Sequence, residues 1–427
     1  MRILVIGYGP GGAAAATTAK TFEPKSEITI FTEETIPAHR KPGASMALEH
    51  PDTKELRIPD WSIENLSRRN IQVLTGTTVL GGDLTKRELE VRGSSGKIKS
   101  YQFDKLIIAT GGIPSVPSIP GTNLPGVYTI QTMADTSALG TVLSSIDSVI
   151  IVGAGFSGLE TAERLYNMGK EVHLVIRSRL MRRQLEEPMS EDLLSRIPKG
   201  IQCHVGTAPS EVLGTKKATG VKLGDKDLLG GAVIFMTGVR PSVELAKNLG
   251  VKTGDLGGIQ VNQKMETNVK GVYAVGDCVE MLDALTNSPI LMPVGSTAAR
   301  AGRQAGIAAI GRDKIYNDTS LRLQYDRIFQ TDIVCVGHSS VTADDLGIKT
   351  QVHFLDDPHE GMKVALVTDK EDRLIGGQVL SARMGARVGY EIIERVEQGN
   401  TLKDSPLLES RHGRIRNLLE KTLGPIR

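Results

Sequence analysis

Residues 2–20 read RILVIGYGPGGAAAATTAK, and residues 148–176 read SVIIVGAGFSGLETAERLYNMGKEVHLVI. Each stretch runs a short apolar strand into a Gly-x-Gly-x-x-Gly turn and then a helical segment. In the first, Gly7, Gly9 and Gly12 hold the pattern, with Pro10 and Gly11 in the same loop; in the second, Gly153, Gly155 and Gly158 hold it, with Phe156 and Ser157 opening the helix. Glycines at this spacing serve a tight turn, a close approach to a pyrophosphate, and close helix–strand packing. The helix start adds unpaired N–H groups and the positive end of a dipole, which suit phosphates. After the first unit, Glu27–Phe31 predicts a second strand ending at Thr32-Glu33-Glu34, where Glu33 first and Glu34 second are placed to accept ribose hydroxyls. Two complete units, 146 residues apart from Gly7 to Gly153, predict an α/β chain that binds two dinucleotides.

The second unit has no acid at its strand end. It reads Arg177-Ser178-Arg179-Leu180-Met181-Arg182-Arg183 instead. A carboxylate repels a 2′-phosphate, whereas guanidinium groups bind one through charge-assisted bonds. The residues at this end therefore favour NADPH over NADH.

The rest of the composition narrows the class. The chain has 427 residues, a length that predicts two or three domains. Its 51 basic and 49 acidic residues give a net charge of +2, which argues against a nucleic-acid binder. No apolar run reaches the roughly 18 residues of a membrane-spanning helix. The apolar run at the N-terminus stops at Gly7, too short for a secretory leader, so the chain is expected to be cytoplasmic and unprocessed. Cys203, Cys278 and Cys335 share no CxxC or CxxxxC spacing, and the eight histidines show no metal-binding spacing, so neither a disulfide framework nor a metal site is expected.

Further motifs follow in order. LIIATGGI (106–113) opens a buried strand into Thr110-Gly111-Gly112; TGVRP (237–241) holds Gly238; TNVKGVYAVGD (267–277) ends in Asp277; and PVGSTAARAGRQAG (293–306) starts a helix near Ser296 and Thr297. As an ordered set these residues resemble the FAD-dependent pyridine nucleotide–disulfide oxidoreductase superfamily, including its NADH oxidases, coenzyme A disulfide reductases and rubredoxin reductases. The resemblance covers residues 1 to about 315, and more weakly 319–400, where IGGQVLSARMGARVGYEII resembles the C-terminal dimerisation domain.

The resemblance implies FAD at Gly7, Gly9, Gly12 and Glu33, with Asp277 on the ribityl chain and the Ser296–Thr297 helix start at the flavin's pyrimidine edge. It implies NAD(P)H at Gly153, Gly155 and Gly158, with Glu160 two residues beyond. The NADPH-binding branch carries arginines six residues apart after the strand, and Arg177 and Arg183 match. It implies an NAD(P)H domain (114–243) inserted into an FAD domain (1–113 and 244–318), followed by an α+β interface domain (319–427) and a homodimer.

Most branches place a cysteine near the flavin, about ten residues past the second strand. Here Pro42 falls at that position, and no cysteine precedes Cys203. A thiolate relay is therefore not expected. The segment IFTEETIPAHRKPGAS (30–45) resembles the cysteine-free branches, which makes Arg40 and Lys41 the candidate cations beside the flavin, Lys41 within reach of Glu160. Electrons would then pass from NADPH (or NADH) through FAD to an acceptor: dioxygen, a quinone, a small redox protein or a sulfur compound. A coenzyme A disulfide or polysulfide reductase and a redox-sensing flavoprotein are the alternatives. In the tail, apolar Leu408, Ile415, Leu418, Leu419 and Leu423 recur at helical spacing.

Overall fold

In this computed structural model, residues 1–36, 41–49, 58–315, 320–357 and 361–402 are described. Lys41 and Pro42 are described in backbone only. The expected cation Arg40, the Lys41 side chain and the tail helix of 406–427 therefore lie outside the described residues.

The chain divides into two compact units. The first comprises Met1–Ser115, Ile130–Ala138 and Gly238–Ser320. Its centre is a five-stranded sheet in the order Val272–Ala274, Lys105–Ile108, Arg2–Ile6, Glu27–Phe31, Ile71–Leu74, with every neighbouring pair parallel. Parallel strands are covered on both faces, so they read as continuous apolar runs; Ile3, Val5, Ile30, Leu106, Ile107 and Ile108 are buried accordingly. The helices Pro10–Phe22 and Gly295–Ala309 pack on each other through small residues. A Cβ on Gly302 would stand 2.2 Å from the Gly11 carbonyl oxygen, and one on Gly306 2.5 Å from that of Ala15. Residues 130–138 join this unit, where the Thr136 hydroxyl donates to the Ala44 carbonyl at 3.3 Å.

The second unit comprises Val116–Thr129, Leu139–Thr237 and Leu321–Arg427. It repeats the parallel sheet in the order Ile201–Val205, Glu171–Ile176, Ser148–Val152, Ala232–Phe235, Val127–Tyr128. It also carries an antiparallel sheet of Leu323–Ile328, Thr331–Gly337, Leu374–Ser381, Met362–Thr368 and Gln351–Asp357. The helix Gly385–Gln398 lies against that sheet and buries Val388, Ile392, Ile393 and Val396. The mixed α/β architecture follows the doubled dinucleotide pattern of the sequence.

Candidate dinucleotide-binding sites

The strand Arg2–Ile6 delivers the chain to Gly7, whose φ of +107° only glycine adopts readily. A Cβ there would lie 2.1 Å from the Ala109 carbonyl oxygen. At Gly12 a Cβ would lie 2.1 Å from the Gly7 carbonyl oxygen, so this glycine lets the helix close onto the turn. Gly9 differs: its φ is −82°, and nothing stands within 4 Å of a Cβ placed on it. The protein leaves that side open, at the start of a helix whose first residue, Pro10, has no N–H to leave unsatisfied. A backbone surface stripped of side chain at a helix N-terminus fits a pyrophosphate.

Two of the other expected segments of the first unit approach the same loop. A Cβ on Gly11 would lie 3.0 Å from Val275 Cγ2 and 3.4 Å from the Ala298 carbonyl oxygen, and one on Gly295 4.0 Å from Pro10 Cγ. The strand that ends beside Asp277 and the helix that carries Ser296 and Thr297 thus meet the Gly7–Gly12 turn. Thr297 is buried and Ser296 exposed. Glu33 is exposed and Glu34 half-buried; the Thr32 hydroxyl accepts the Glu34 N–H at 3.2 Å. Thr110 donates to the Ser242 carbonyl at 2.7 Å, and Gly111 and Gly238 both hold positive φ with open space around a Cβ. The strands Gly112–Pro114 and Val239–Pro241 pair there antiparallel.

Tyr8, between the first two glycines, carries no signal in the sequence pattern. Its hydroxyl donates to the Trp61 carbonyl. Burial, and secondarily the charge of Glu64, raise its pKa above the ordinary tyrosine value. Cys278, next to Asp277, is fully buried, with its Sγ 3.2 Å from the Val275 carbonyl. Burial pushes this thiol's pKa up, partly offset by a hydrogen bond with Thr110. A buried neutral thiol is a poor nucleophile.

The second unit repeats the cradle. Gly153 has φ +112°, and a Cβ on it would lie 2.4 Å from the Met236 carbonyl oxygen; a Cβ on Gly158 would lie 2.1 Å from the Gly153 carbonyl oxygen. Gly155 again opens onto empty space, with Phe156 and Ser157 half-buried at the helix start. Glu160, on the same helix, is only 4% exposed.

The segment after Glu171–Ile176 folds back onto this cradle: the Met181 N–H donates to the Ala154 carbonyl at 3.0 Å. That bond brings the arginine run to the glycine turn. The four guanidinium groups then part company. Arg179 is structural, donating to Ser190 Oγ at 2.9 Å and to the Leu185 and Arg182 carbonyls. Arg183 pairs with Asp345 at 2.6 Å. Arg177 is exposed and makes no hydrogen bond or ion pair with a described residue. Arg182 has its pKa lowered by burial first, then by the charges of Arg177, Arg183 and Arg179. The run gathers four guanidinium groups on the segment that bonds to the glycine turn, where a Cβ on Gly155 would meet nothing within 4 Å.

Among the described residues, no group of three or more His, Cys, Asp or Glu is placed to hold a metal ion, and no helix is long and apolar enough to cross a membrane.

Comparison with known proteins agrees with this geometry. Residues 1–306 match the pyridine nucleotide-disulphide oxidoreductase family. The chain belongs to that family. It is an FAD-dependent NAD(P)H oxidoreductase. Among family members, it is 34% identical over 315 residues to an NADH oxidase of Methanocaldococcus jannaschii, covering 72% of this chain and 69% of that one. It is 27% identical over 411 residues to an NAD(P)H coenzyme A polysulfide/persulfide reductase of Pyrococcus horikoshii, covering 93% and 89%. Its fold matches an engineered water-forming NADPH oxidase derived from the Lactobacillus brevis NADH oxidase, with a TM-score of 0.88 at 20% identity over 99% of this chain and 98% of that one.

Proposed function

We propose that this family member takes reducing equivalents from NADPH in preference to NADH and passes them through FAD to an acceptor without a cysteine relay. The observation that carries the preference is the arginine run folded against the second glycine cradle, with Arg177 exposed and unengaged among the described residues. The engineered NADPH oxidase supports it. That variant is bound to NADPH, and its substitutions install two arginines six positions apart and remove the aspartate just before the first. Arg177 and Arg183 stand six positions apart here, and apolar Ile176 precedes the first.

The residues present fit both groups. The open faces of Gly9 and Gly155 admit phosphates, and the helix N–H groups hold them. Glu33 accepts ribose hydroxyls in the first unit; Arg177 and Arg183 neutralise the 2′-phosphate in the second. Asp277 and the Thr297 helix start orient the flavin end, and Lys41 and Glu160 are each proposed as catalytic polar residues. FAD, when bound, supplies the two-electron chemistry between nicotinamide and acceptor. The protein's part is to orient the groups and tune their charge.

The acceptor is a small molecule or a small redox protein. A sulfur compound has specific support, because the Pyrococcus horikoshii relative, which aligns with nearly the whole chain, is a polysulfide/persulfide reductase. Against a cysteine relay stands the absence of any cysteine before Cys203. Free cysteines fit a reducing compartment such as the cytoplasm. A homodimer is proposed through the antiparallel-sheet domain, where Tyr390 is 64% exposed.

Anaerobic titration of the flavin tests the cofactor reading. NADPH should half-reduce it at a concentration at least about tenfold below NADH, as one or two charge-assisted bonds provide; equal midpoints would overturn the preference. Mixing the reduced protein with air-saturated buffer then sorts the acceptor. Reoxidation within about a second supports dioxygen; reoxidation over minutes directs the search to sulfur compounds, quinones or a protein.

A further inference from the structure

The arginine run does not stand alone: the antiparallel-sheet part of the same unit holds it. Ser339 Oγ donates to the Arg183 carbonyl at 2.7 Å. Three residues on, buried Glu186 is fixed from both sides. Its Oε1 accepts the Ser340 N–H at 2.8 Å and Gln378 Nε2 at 3.1 Å, its Oε2 accepts the Ser340 hydroxyl at 2.5 Å, and its own N–H donates to Gln378 Oε1 at 2.7 Å. Ser339 also caps the short helix Ser340–Asp344, its hydroxyl accepting the Thr342 N–H at 3.2 Å. Asp345 ends that helix. The start of its helix is thus tied by buried polar contacts to the segment that carries Arg183, while both side chains of the pair are about half exposed. Arg183 Nη2 lies 2.6 Å from Asp345 Oδ2.

Resting on the NADPH reading above, we propose that Asp345 is a cofactor-specificity residue contributed from outside the dinucleotide-binding sheet. Its carboxylate holds Arg183 and adds negative charge where a 2′-phosphate must settle. Arg177 remains the committed anion ligand, while Arg183 must be shared. Asp345 therefore lowers the NADPH preference that the two arginines alone would give, and leaves NADH within reach. Like charge near the phosphate and competition for the guanidinium act in the same direction.

The test uses the full flavin-loaded chain and two probes that differ at the 2′ position: 2′,5′-ADP, which carries the phosphate, and 5′-AMP, which does not. Binding is read by calorimetry, independently of turnover. Asp345→Asn keeps the side chain's size and should tighten 2′,5′-ADP about two- to fivefold, the range of an exposed ion pair, with 5′-AMP unchanged and the gain shrinking as salt is added. Arg183→Ala should weaken 2′,5′-ADP alone. If Arg183→Ala has that effect but Asp345→Asn leaves 2′,5′-ADP unchanged or weaker, the role of Asp345 is overturned while the NADPH reading stands. If neither Arg177→Glu nor Arg183→Ala changes the ratio of the two probes, the NADPH reading falls, and the role of Asp345 with it.

Discussion

At Gly9 and Gly155 a Cβ would enter open space, whereas at Gly7, Gly12, Gly153 and Gly158 it would lie 2.1–2.4 Å from a backbone oxygen. The same motif therefore mixes glycines that the fold requires with glycines that no contact within the described residues requires, and the proposed dinucleotide sites assign the second kind to the ligand. Gly9→Ala strains no contact within the protein. The apoprotein should melt within a few degrees of wild type, while bound flavin per chain falls at least about tenfold. Gly12→Ala must displace backbone, and should lower the melting temperature of the apoprotein itself; overpacking of this kind costs about 1–3 kcal/mol or more. Thermal melts of deflavinated protein beside flavin absorbance separate the two. Arg177→Glu belongs to the same scale. It should weaken NADPH about 10- to 100-fold, the range of a lost charge-assisted contact plus repulsion, and NADH far less. Equal loss for both would sink the 2′-phosphate role. The glycines and the strand-end arginines were legible in sequence because their spacing is local. Asp345 was not: it meets Arg183 from 162 residues away, and no spacing rule reaches that far.

Among the elements, the pairing of helices 10–22 and 295–309 sets the geometry of the first cradle. Ala298, Gly302 and Gly306 recur at intervals of four, which places them on one helix face. That stripe of small residues is the sequence signal for the pairing, and the helix-start motif at Ser296–Thr297 does not carry it. Gly302→Val has no room against the Gly11 backbone and should both destabilise the chain and loosen flavin, measured by melting temperature and flavin release. On the second parallel sheet, His173 and His204 meet on adjacent strands, Nδ1 to Nε2 at 3.2 Å. Burial lowers the pKa of both; Glu171 opposes this at His173, and the charge of His173 adds to it at His204. Between the lowered folded value and the ordinary value of 6.5, the unfolded chain binds more protons, so stability rises with pH. Their contribution is present above pH 6.5 and lost on acidification. His204→Gln should flatten the melting temperature between pH 7.5 and about 5.5; an unchanged slope would assign the acid sensitivity elsewhere.

Across the molecule, the duplicated strand–glycine–helix pattern made the two dinucleotide-type α/β units readable from sequence, since parallel strands are continuous apolar runs bounded by glycine turns. The grouping of the chain was less readable. Residues 130–138 fold with the first unit, and the antiparallel sheet shares a unit with the second dinucleotide cradle, where Gln378 of that sheet bonds Glu186 at 3.1 Å; contacts this distant in sequence leave no local pattern. The cysteines bear on the whole reaction. Cys278 and Cys335 are buried, and burial pushes the Cys335 thiol up to about 12, so at neutral pH it stays protonated. Electrons that leave the flavin without a thiol are the centre of the proposed mechanism. It is tested most directly by NADPH turnover per bound flavin in a chain carrying Cys203→Ser, Cys278→Ala and Cys335→Ala, with every acceptor the wild type uses, sulfur compounds included. Turnover within about twofold of wild type is the expected result. A loss of more than about tenfold at unchanged flavin content would contradict the mechanism and restore a cysteine to it.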